Sequence, residues 1–205
     1  RGLVGSEMCI RDSTKSVAVE VFKRFIDIGL VRGGKSGNWN VNGWNMMLRP
    51  VLVLDSDEAY PDGKGKEYYL NLLVNESTPY HDAIPDMLKT YDPVTGLWPE
   101  SPGYSFGTIQ MLLDWAAPLK RAGIDIIAGN PILQKAAMAV FPWMDDAANM
   151  VVFGDSRGGS ANFQTFENLL AYYAGITDKA GMEKVASALN LSLIHISEPT
   201  RPLYI

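Results

Sequence analysis

The chain has 205 residues, 47% of them apolar and 20% charged, with a formal net charge of −5 at pH 7. That acidic balance argues against nucleic-acid binding, which rests on a basic surface, and no apolar run reaches the roughly 18 residues of a membrane span. One cysteine, Cys9, and two histidines, His81 and His195, leave no material for a disulfide or a Cys/His zinc site, and no cofactor or metal is expected.

Taken in chain order, the two ends come first because each explains the other. LVGSEMCIRDS (residues 3–13) and LSLIHISEPTR (191–201) can be encoded by opposite strands of one DNA segment. Evolution gives no reason for this, whereas an oligonucleotide ligated to both sides of an insert does; the pair resembles a transposase-type sequencing adapter read through as protein. The expected organisation is therefore residues 1–13 and 191–205 adapter-derived and 14–190 a fragment of one helical catalytic domain. Within 14–190 there is no cysteine and His81 is the sole histidine.

Apolar spacing from Val17 through Val21, Phe22, Phe25 and Ile26 to Leu30 predicts a helix capped by Thr14 or Ser16 and ended by Gly33 and Gly34. A second is expected from near Asn42 through Trp44, Met47, Leu48 and Val51 to Leu52, and a third over 66–75. Thr78 with Pro79 reads as an N-cap and first-turn proline, although Pro85 opposes an unbroken helix to Tyr91. After a long loop, 92–103, helical period returns from Phe106 to Leu119. Asn130 and Pro131 open a further helix, and two more are expected over 161–174 and 178–189. Residues 150–153 read as a short strand. About seven helices joined by loops rich in Gly, Asn and aromatics predict an all-α solenoid or toroid of paired antiparallel helices.

Two stretches have compositions unusual for connectors: GNWNVNGWNMM (37–47) and GLWPESPGYSFG (96–107). In the first, Asn38, Trp39, Asn40, Asn42, Trp44 and Asn45 set amide donors and acceptors beside flat rings, the combination that grips sugar hydroxyls and ring faces. The same residues also suit helix capping and core packing. If helical geometry starts early, Asn38, Asn42 and Asn45 share one face. In the second stretch, Pro99 and Pro102 stiffen the loop and hold Tyr104 at a helix mouth, a rigid mount suited to a catalytic group. A packed tyrosine with a bonded hydroxyl is the other reading. Glu100 serves equally as a cap or as an orienting partner.

NWNVNG, then GLWPESPGY some fifty residues later, then VVFGDSRGG, together resemble the heparinase II/III-like polysaccharide lyases over residues 37–173. The proline-glutamate-glycine loop ending in tyrosine is the most specific part. The resemblance implies a partial (α/α) toroid followed by β-sandwich domains, here missing. It further implies a secreted or periplasmic enzyme that degrades an acidic polysaccharide such as a glycosaminoglycan or alginate by β-elimination. Relatives place a histidine beside the carboxylate-neutralising asparagine, where this chain has Trp39 or Asn40, and draw another histidine from beyond the toroid.

Such chemistry needs hydrogen bonds that neutralise the uronate carboxylate, a base for the C5 proton and an acid for the leaving O4. Amides of Asn38, Asn40 or Asn42 are expected to neutralise the carboxylate, with Asn38 and Asn40 taken as catalytic. Tyr104 is expected to take the proton as phenolate and return it as phenol, which demands cationic or amide neighbours. Trp39, Asn42, Trp44, Asn45, Trp98, Glu100, Arg49 and His81 complete the expected substrate-binding set. Arg49 has pairing with Asp55 or Asp57 as its alternative, and His81 a solvent-facing or satisfied position. Two rival functions stay open: a glycoside hydrolase built on Glu100 with Asp92 or Asp155, and a non-catalytic glycan-binding helical domain.

Overall fold

The computed structural model describes residues 3–145 and 149–156, and beyond them Phe166, Glu167, Leu169, Ala180, Glu183 and Ser187; of residues 3–13 it describes the backbone. The chain divides into two compact units, Arg1–Met87 and Leu88–Ile205. Among the described residues the protein is mostly helical and has no strand, so the all-α class is observed.

The first unit holds α1 (Leu3–Arg32), α2 (Gly37–Val51), α3 (Lys66–Val74) and the single turn α4 (Ile84–Met87). No proline interrupts residues 3–32, and α1 runs through the expected start at Thr14 or Ser16. Ser36 (φ 69°) and Gly37 (φ 62°) both take left-handed backbone, and Asn40 N–H then closes the first turn onto the Ser36 carbonyl at 3.3 Å. This reversal starts α2 at Gly37 rather than near Asn42. Val41, Trp44, Met47, Leu48 and Val51 fall on one face of α2 and are buried with Ile26 and Leu30 of α1 and Tyr69, Leu70 and Leu73 of α3.

No helix forms at Thr78. Its hydroxyl donates to the Leu30 carbonyl at 2.8 Å, and its N–H bonds the His81 carbonyl at 2.8 Å, so 78–81 closes as a turn. Lys35 reaches the Thr78 carbonyl at 3.2 Å and the Asp82 carboxylate at 3.4 Å.

The second unit holds α5 (Pro102–Asp114), α6 (Ala116–Arg121) and α7 (Pro131–Ala139). The expected run from Phe106 to Leu119 breaks at Trp115, where Pro118 has no N–H to return to Asp114. Ser105, Phe106, Thr108, Ile109, Leu112 and Leu113 are the buried face of α5, which packs on α6 and α7. Phe166 stacks at 4.3 Å between ring centres from Phe141 and 6.0 Å from Phe106. The expected strand at 150–153 reduces to one bridge, Met144 with Met150. Phe166, Glu167, Leu169, Ala180, Glu183 and Ser187 are helical, inside the two helices expected there; the rest of 161–174 and 178–189 lies outside the described residues.

Candidate functional site

Helical phase divides the Asn–Trp stretch of the first unit into two sets. Asn38, Asn42 and Asn45 share the outer side of α2, with Asn42 exposed and its amide donating to the Asn38 carbonyl at 3.0 Å. Trp39 stands beside them, 76% exposed.

Asn40 and Trp44 point the other way. The Asn40 amide donates to the Asp82 carbonyl at 2.9 Å and accepts the Asp82 N–H at 2.9 Å, a two-bond clamp on buried backbone. Trp44 is fully buried, and its indole N–H donates to the Leu73 carbonyl at 3.0 Å. An enclosed ring has no face to offer a sugar, which corrects the expectation that Trp44 binds substrate. The Asn40 clamp likewise engages the amide expected to meet the uronate carboxylate.

His81 is buried, contrary to a solvent-facing position, and its Nε2 has no hydrogen-bond partner. Burial pulls its pKa from the ordinary 6.5 down to about 4, against a smaller opposing pull from the Asp82 carboxylate, so the imidazole is neutral near pH 7. Arg49 is exposed in the last turn of α2. Its expected alternatives are engaged elsewhere: Asp55 pairs with Lys15 at 3.0 Å, and Asp57 accepts the N–H groups of Gly65 and Tyr68 at the start of α3.

The same unit has a groove of about 1170 Å³ along α1, lined by Val19, Lys23, Tyr60, Asp62, Tyr68 and Tyr80 among others, and it includes none of the expected site residues. Ammonium groups occupy two of its ring faces, Lys23 at 4.4 Å over Tyr60 and Lys64 at 5.4 Å over Tyr68.

In the second unit the loop before α5 is braced throughout. The Asp92 carboxylate accepts from Val94 N–H, Thr95 N–H and the Thr95 hydroxyl, which holds its pKa below the usual carboxylate range. Trp98 is 2% exposed, donates its indole N–H to Glu100 at 2.5 Å and meets Tyr91 edge-on at 4.8 Å. It too is a core ring, which corrects its expected place on the substrate. Burial raises the Tyr91 pKa, partly offset by its bond to the Thr108 hydroxyl, so this phenol stays protonated.

Tyr104 is the contrast. It occupies the first turn of α5 and is 39% exposed, while its neighbours Ser101, Pro102, Ser105 and Phe106 are buried. The Ser105 hydroxyl lies 3.3 Å from the Trp98 carbonyl and 3.4 Å from that of Glu100. Sequence reading missed that GDS and PGY meet: Gly103 N–H donates to the Ser156 hydroxyl at 2.9 Å. The paired glycine and serine motifs were its only available signal. Asp82, the object of the Asn40 clamp, had no signal at all.

Among the described residues no three His, Cys, Asp or Glu side chains gather into a group able to hold a metal ion, and no helix is long and apolar enough to cross a membrane. The class the fold defines is thus an all-α protein with an exposed tyrosine on a braced helix start. No family model, curated protein or solved structure matches the chain.

Proposed function

We propose that the chain is part of a polysaccharide lyase that cleaves a uronic-acid-containing polymer by β-elimination, its helices forming part of an (α/α) toroid. The observation that carries this reading is the Tyr104 phenol, 39% exposed on a first turn that is flanked by the buried Ser101, Pro102, Ser105 and Phe106 and held by hydrogen bonds at Gly103 and Ser105. A base that must meet a sugar has to be reachable, and one that must meet a single C5–H has to be held still. As phenolate, Tyr104 takes the C5 proton; as phenol, it protonates the departing O4. Taken within the first unit alone, the Asn40 amide already holds Asp82, which leaves Asn38 as the amide open to a uronate carboxylate. Trp39 offers the exposed ring face. The substrate class places the protein in the periplasm or outside the cell.

Asp92 accepts three donors on one carboxylate oxygen and Glu100 accepts the Trp98 indole N–H, and the products decide between elimination and hydrolysis by Glu100 with Asp92 or Asp155. The test is incubation with alginate and with glycosaminoglycans, following the near-ultraviolet absorbance of an unsaturated uronate. Its appearance supports elimination. Cleavage without that chromophore supports hydrolysis, and glycan binding without cleavage supports a binding domain.

A further inference from the structure

We propose that the turn at 154–156 is a latch for the first turn of α5, with Ser156 the positioning residue for Tyr104; this rests on the reading of Tyr104 as the proton-transfer group. The start of α5 is short of its usual fastenings. Pro102 at the first helical position has no N–H, and Ser101, although its backbone has the extended conformation of an N-cap, makes no side-chain capping bond. The Ser101 hydroxyl is buried without a partner.

The capping role passes to a residue 53 positions away. The Ser156 hydroxyl accepts the Gly103 N–H at 2.9 Å. A Cβ on Gly103 would stand 2.7 Å from that oxygen, so a side chain at 103 pushes the serine off. Gly154, at φ 64°, turns the chain here, and a Cβ built on it would lie 3.5 Å from that of Ser101. The turn therefore rests on the residues just before Tyr104, while the Ser105 hydroxyl ties down the residue just after it. Tyr104 is thus free only in its side chain. Its backbone is held from both sides, by the Ser156 hydroxyl on Gly103 and by the Ser105 hydroxyl on the Trp98 and Glu100 carbonyls.

The test compares Ser156→Ala and Ser156→Thr with the unaltered chain. Two readouts apply: amide exchange at Gly103 and the fluorine resonance of 3-fluorotyrosine at position 104, assigned by its loss in Tyr104→Phe. Ser156→Ala should speed Gly103 exchange about tenfold, as expected for loss of one hydrogen bond, and should shift or broaden the position-104 resonance. Ser156→Thr, which keeps the hydroxyl, should restore both. A serine that merely stabilised the unit would lower the melting temperature and leave that resonance in place, and this outcome overturns the latch. With an active substrate, Ser156→Ala should lower kcat with KM little changed, and undiminished kcat also overturns it. Undiminished elimination by Tyr104→Phe in a complete homologous chain, with the resonance still responding to Ser156→Ala, overturns the reading of Tyr104 as the proton-transfer group and leaves the latch standing.

Discussion

The Asn–Trp stretch of α2 and the loop before α5 are both dense in polar and aromatic residues, yet the chain uses them in opposite ways. On α2 a regular helix sorts neighbours by phase, sending Asn40 and Trp44 inward and Trp39 and Asn42 outward. In the loop, packing and hydrogen bonds bury Gly96, Trp98, Ser101 and Pro102, and Ser105 and Phe106 follow at the start of α5, while Tyr104 among them is exposed. A shared composition thus yields a mixed core and surface in one region and a frame around one reachable phenol in the other.

The sharpest way to break the comparison is to exchange the two indoles of α2. Trp44→Ala should cost about 3–5 kcal/mol, the cost of emptying a large buried site. Trp39→Ala, at a position 76% exposed, should stay within about 0.5 kcal/mol. Denaturant titration decides, and equal losses would contradict the division by helical phase.

Asn40→Ala comes next, at about 2–4 kcal/mol, because it strands the buried N–H and carbonyl of Asp82 together. Asn38→Ala should cost little stability and should weaken turnover. A stable Asn40→Ala protein that had lost only turnover would return Asn40 to the site.

His81 supplies a pH test of the first unit. Its folded pKa of about 4 lies below the ordinary 6.5, so between those values the unfolded chain binds a proton that the folded one refuses. Stability is full above about pH 6.5 and falls as pH drops towards 4, by at most about 3 kcal/mol. His81→Phe should flatten that slope in melts across the window. An unchanged slope would assign it to other groups.

Much of the fold was legible in the sequence, because long periodic runs such as Val41 to Val51 state their own buried face. The break at Trp115 was also within reach, since Pro118 cannot donate an N–H back to Asp114. The early start of α2 was not, because it depends on Ser36 adopting left-handed backbone that serine rarely takes. At the candidate site, the rigid mount of Tyr104 followed from Pro99 and Pro102. The fates of Asn40, Trp44 and Trp98 did not, since an amide or indole suits a sugar and a buried carbonyl equally well, and only tertiary partners decide between them. Ser156 lies too far along the chain for local pattern to link it to Gly103.

The most direct measurement is Tyr104→Phe in a complete homologous chain that cleaves a uronate polymer. The account predicts that unsaturated product disappears while glycan affinity and melting temperature hold, since the lost hydroxyl belongs to an exposed side chain. Substantial remaining elimination would contradict it and remove Tyr104 from the chemistry.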